Sequence, residues 1–84
     1  MLLTIILQAA ANAALTKVGA TIGASIVVIG ASVGIGKIGS SAMEAMGRQP
    51  EAAADIRNSM IVAAALIEGV AFLAIITCIL ALFT

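Results

Sequence analysis

Glu68 is an acidic residue with no charged neighbour along its segment. From Asn58 to Thr84 the sequence runs for 27 residues, and Glu68 carries the only charge among them. An α-helix rises about 1.5 Å per residue, so about 20 residues cross a hydrocarbon core of about 30 Å. Ten residues into the stretch, Glu68 falls about 15 Å along a spanning helix, near mid-membrane. An ionised carboxylate there costs roughly 2.5–3.5 kcal/mol even on the lenient insertion scale. Counted along the chain, Lys37 and Arg57 lie several turns away, so desolvation favours the neutral, protonated acid. A carboxylic acid that is neutral in lipid and ionises only beside a cation or a water path is a proton carrier. Ala64, Ala65, Gly69 and Ala71 are small neighbours that admit another helix, Leu66 belongs to the expected surroundings, and Phe72, four positions on, can cover the carboxyl. The plainer role is interhelical glue through one hydrogen bond, but intramembrane acids are functional by default.

The elements that carry Glu68 follow from composition. Hydrophobic residues make up 63% of the 84 positions and charged ones only 10%. So short a chain has no way to hide that much apolar surface from water, and it has far too much for a disordered one. With net charge zero there is no basic field for nucleic acid. With no His and a single Cys, a Cys/His metal site and an internal disulfide are both excluded. Six of the eight charges (Lys37, Glu44, Arg48, Glu51, Asp55, Arg57) cluster between two apolar stretches, Val18 to Gly36 and Asn58 to Thr84. Lipid admits only helices or closed barrels, and runs such as IVVIGASV and MIVAAALI lack the alternation of barrel strands. The reading is an all-α membrane protein, a two-helix transmembrane hairpin. Helix 1 spans about 9–46, a polar tip about 47–50, and helix 2 about 51–83. Gly47 suits a left-handed helix end and Pro50 the start of the next helix, with Glu51 and Asp55 near its positive pole. Three of the four basic residues lie in the tip segment, which places it on the cytoplasmic side and both termini outside. The N-terminal MLLTIILQAAANAALT lacks the basic start of a signal peptide and reads as an extension of helix 1 to the outer interface, with a cleaved leader as the alternative.

Small residues on helix 1 ask for neighbours. Gly19, Gly23, Gly30 and Gly34 fall on one stripe at about 100° per residue, and Ser25, Ser32 and Gly36 form a second row almost opposite. Such stripes let helices approach closely in lipid. One face suits helix 2 of the same chain; the other needs a different chain, and repeating that contact about an axis closes a homo-oligomeric ring. The run Gly34-Ile35-Gly36-Lys37-Ile38-Gly39 spells a dinucleotide-binding motif, but it lies inside an apolar helix with no preceding strand.

The run from Glu44 through Arg48-Gln49-Pro50 to Ala52, followed by a lone intramembrane Glu twenty residues after Arg48, resembles the c-subunit family of F-type ATP synthases. Gly30-Ala-Ser-Val-Gly34-Ile-Gly36 is similar to that family's inner-helix repeat, and the likeness covers nearly the whole chain. The resemblance implies a non-catalytic rotor component. It implies a ring of identical hairpins, helix 1 inside and helix 2 outside, turning against the a-subunit in a bacterial inner membrane. It implies that Glu68 binds and releases one ion per copy. It also implies that Arg48, Gln49 and Pro50 meet the gamma and epsilon proteins of the central stalk.

Two positions depart from the family's common pattern. Ile35 stands where many members have a Gln level with the Glu, and Gly69 stands where sodium-driven members place a hydroxyl. A hard cation wants several oxygens, and Ser32 is the nearest helix-1 hydroxyl, so the expected transported ion is H⁺ with no cofactor. A sodium-coupled ring is the alternative. A small drug transporter would need about four spans and aromatic residues for its cations, whereas this chain has two Phe and no Trp or Tyr. A pore or a structural proteolipid would have no need of Glu68.

Overall fold

The computed structural model describes all 84 residues as an antiparallel helical hairpin, 73 × 15 × 7 Å. Helix α1 runs Leu2–Arg48 and helix α2 runs Ala53–Phe83, with a three-residue 3-10 turn, Pro50–Ala52, between them. Both helices are long and apolar enough to cross a membrane.

The tip is built differently from the expectation at Gly47. That glycine stays helical, no residue in the chain has a positive φ, and α1 continues to Arg48. The break falls at Gln49 (φ −133°, ψ 74°). The cause is Pro50, whose ring disfavours helical geometry in the residue before it. The Gln49 N–H still donates to the Ala45 carbonyl at 2.9 Å, and the Ala52 N–H to the Gln49 carbonyl at 3.0 Å. Pro50 therefore opens the 3-10 turn, and the α-helix begins at Ala53 rather than near 51. Glu51 and Asp55 occupy the first turns after the break and Arg48 the last turn before it, each of favourable sign for the helix dipoles.

Helix α1 also begins earlier than about 9. Nothing between Leu2 and Lys17 breaks a helix, and the first turn forms at Leu2. It overshoots its partner, because the register described below sets Lys17 beside the end of α2.

The seam between the helices follows a heptad-like spacing. On α1 the covered positions include Ala20, Gly23, Ala24, Val27, Ala31, Gly34, Ile35 and Ile38; on α2 they include Met60, Ala63, Ile67, Ala71, Ala74 and Cys78. Small residues dominate, as expected where packing rather than water exclusion joins helices. Only Ala20 and Ala42 are buried, and residues such as Ile29, Leu66, Val70, Phe72 and Leu73 are more than half exposed. So much exposed apolar surface demands lipid or further helices around the hairpin.

The glycine stripe is divided by this seam. A Cβ on Gly34 would lie 3.2 Å from Ile67 Cδ1 and one on Gly23 would lie 3.6 Å from Cys78 Sγ, while Gly19, Gly30 and Gly36 face open space. Gly23 and Gly34 serve the intrachain seam; Gly19 and Gly30 lie beyond its contacts, with open space at each. Two stability changes follow, read by unfolding in detergent and followed by helical circular dichroism. Gly34→Val should destabilise the hairpin by about 1–3 kcal/mol through overpacking. Gly47→Ala should be neutral or stabilising by about 0.5–1 kcal/mol, because the site is an ordinary helical one; a loss there would contradict the helical tip.

Candidate functional site

The contacts Gly34 to Ile67 and Gly23 to Cys78 define one antiparallel register. That register brings Val33 level with Glu68. Ser32 lies one residue from this level, Ile35 two residues, and Lys37 four, or about 6 Å along the axis. The expectation that Lys37 stands several turns from Glu68 is therefore corrected, because the chain folds back on itself. Counting outward from the turn at Pro50 would have revealed it.

Glu68 lies outside the seam and is exposed on one flank of α2. The side chains around it divide by helical angle. Leu66 and Val70, each two residues away, are rotated by about 200° and lie on the opposite flank. There they join Val27, Gly30, Ala31 and Gly34 of α1 to line a groove of about 470 Å³. Ser32 is rotated by the same angle from Gly30 and Gly34, so it shares the side turned away from the groove. Ala65 and Phe72 are exposed beside Glu68, Gly69 faces outward with open space at its Cα, and Ile35 is half-buried in the seam. Of the expected surroundings, the fold therefore brings Ser32, Ala65 and Phe72 to Glu68's side and sends Leu66 to the other.

Hydroxyls in the spans look after themselves. Thr21 donates to the carbonyls of Lys17 (2.9 Å) and Val18 (3.0 Å), Ser25 to Thr21 (2.9 Å), and Thr77 to Leu73 (3.0 Å). Such bonds satisfy a polar group without help from another helix. Neither Glu68 nor Ser32 is among the side chains so bonded within the hairpin. No group of three or more His, Cys, Asp or Glu converges on a metal position. The arrangement suits a carboxyl that exchanges a small cation at the side of a helix, and it offers no nucleophile and base pair.

The family of ATP synthase C subunits matches residues 18–81. The chain belongs to that family. The ATP synthase c-subunit of Phocaeicola vulgatus is 66% identical over 83 residues, 99% of each chain. That of Bacteroides thetaiotaomicron is 63% identical over 84 residues, again 99% of each. A more distant one, from Ruminiclostridium cellulolyticum, is 40% identical over 79 residues, covering 94% of this chain and 90% of its own. Membership makes this hairpin a membrane-embedded, ring-forming component of ATP synthase.

For a ring-forming protein, the division of the hairpin into two flanks matters most. Copies related by rotation alone present the Glu68 flank of one to the groove flank of the next at equal height. The tip residues Arg48, Gln49 and Pro50 are all exposed at the far end of the molecule, where they are free to meet another protein. Dicyclohexylcarbodiimide, an apolar reagent that attacks protonated carboxyls, should label Glu68 in the assembled protein and spare Glu44, Glu51 and Asp55, as read by peptide mass spectrometry. Equal labelling of the tip carboxylates would show that Glu68 is not set apart by its surroundings.

Proposed function

We propose that this chain is the proton-carrying rotor component of an F-type ATP synthase, with Glu68 as the reversibly protonated group. The observation that carries this reading is the position of Glu68 on the hairpin's flank. It is the one carboxyl of the apolar part of α2, outside the intrachain seam and without a hydrogen-bond partner in its own chain. At its level a neighbouring copy offers Gly30, Gly34, Leu66 and Val70, a surface without a side-chain oxygen. A hard cation such as sodium needs several oxygen ligands, whereas a proton needs only the carboxyl. Ile35 in the seam and Gly69 in the open add no oxygen either. Ser32 supplies a single hydroxyl, enough to steady a protonated acid and too little to replace a hydration shell.

In this reading Glu68 is neutral wherever lipid and the next copy cover it. It ionises only where the a-subunit supplies a water path and a cation, then reloads from the other side as the ring turns. One proton crossing about 100 mV delivers roughly 2.3 kcal/mol. Several must pass for each ATP, and many copies in a ring provide for that. Arg48, Gln49 and Pro50 would grip the gamma and epsilon proteins of the central stalk. The basic residues near the tip favour the cytoplasmic side of a bacterial inner membrane for that end. Chemistry on ATP would occur elsewhere in the complex.

Glu68→Gln tests the reading. The amide keeps the shape and polarity but holds no exchangeable proton, so rings should still assemble while proton-driven ATP synthesis falls by at least about 100-fold, or about 2.7 kcal/mol. Full coupling in that variant would sink the proposal. Sodium ions at neutral pH should give Glu68 no protection from the carbodiimide; protection would favour the sodium-coupled alternative.

A further inference from the structure

Asp55 and Arg57 stand two residues apart on α2, about 200° around the helix and about 3 Å along it. Asp55 lines a second groove, about 590 Å³, together with Lys37, Ser41, Ser59 and Met60. This groove lies on the same flank as the apolar one at Glu68's level, because Asp55 and Ser59 are rotated from Leu66 and Val70 by small angles only. Arg57 lies on the other flank, with Glu68. Both side chains are exposed, and neither makes a hydrogen bond within the hairpin. Lys37 is the cation of the groove, but the register puts it about nine residues, or about 13 Å, deeper than Asp55. It guards the inner end while Asp55 sits at the tip end.

We propose that in the assembled ring Asp55 of each copy receives Arg57 of the next, forming a closed belt of ion pairs near the tip. The inference rests on the ring reading above and adds the contact that aligns its members. Rotation without translation keeps heights equal, and the two groups differ in height by only about 3 Å, well within the reach of an arginine. The groove itself carries one positive and one negative charge, so it has no preference for an anionic lipid headgroup, whereas an arriving guanidinium finds an unpaired carboxylate. Asp55 lies 13 residues from Glu68, about 20 Å along the helix and just outside a hydrocarbon half-thickness of about 15 Å. At that depth water is thinned but not absent, so the pair avoids the full desolvation cost of a buried one and is screened less than a free surface pair. Guanidinium and carboxylate also match as a fork, which fixes orientation as well as distance. Because the two halves sit on opposite flanks, the contact is directional: it rewards flank-to-groove pairing and penalises groove-to-groove pairing, where two Asp55 carboxylates would meet.

The test uses the intact ring in detergent and the temperature at which it dissociates into single hairpins. Asp55→Lys and Arg57→Glu should each lower that temperature by several degrees, and the double exchange should restore most of the loss. The milder pair Asp55→Asn and Arg57→Gln should show non-additive losses, since each removes the same contact. High salt should narrow the gap between wild type and the single variants. Additive losses in either double variant would overturn the pairing while leaving the ring reading intact. So would rescue of Asp55→Lys by Lys37→Glu or Arg48→Glu, or of Arg57→Glu by Glu44→Lys, since each assigns the charge a partner in its own hairpin. A wild-type protein that forms no ring would remove both this inference and the reading beneath it.

Discussion

Everything in this molecule turns on the rule that a polar group in lipid must find a partner. The backbone meets it by being helical nearly from end to end. The span hydroxyls of Thr21, Ser25 and Thr77 meet it by bonding back to their own helix. Glu68 makes no such bond, for its side chain emerges exposed on a flank of α2 and is hydrogen-bonded to nothing in the hairpin. A lone copy thus leaves this carboxyl without a hydrogen-bond partner. Any partner for it has to come from outside the hairpin.

The same incompleteness explains the surface. A soluble chain of this size would bury its leucines and isoleucines, whereas here only two alanines are buried. The thin seam of Ala, Gly and Ile holds two rods parallel and sets their register, and it does little else. Dividing the glycine stripe between the seam and the outside is economical: Gly23 and Gly34 let α2 approach, while Gly19 and Gly30 keep room for a neighbour. The register then makes level partners of residues far apart in the chain, Ser32 and Glu68 among them.

Much of this was legible in the residues. A single charge within a long apolar run singles out Glu68, and the Arg48-Gln49-Pro50 tip marks where the chain reverses. Local chemistry near Gly47 was less informative, since glycine permits a left-handed end without requiring one, and Pro50 decided the break two residues later. Distances counted along the chain misjudged Lys37, because the reversal at Pro50 returns it to within about 6 Å of Glu68's level. Which flank each side chain occupies needed the grooves themselves, since two small stripes on one helix leave open which of them α2 takes.

The central claim is that Glu68 is completed by the next copy and not by its own hairpin. Imaging the assembled ring at a resolution that defines side chains tests it most directly. The expected map shows the Glu68 carboxyl at the boundary between adjacent hairpins, at mid-height, against the neighbour's Gly30, Gly34, Leu66 and Val70. A Glu68 side chain enclosed in its own α1–α2 seam, or turned toward the ring's central axis, would contradict the account.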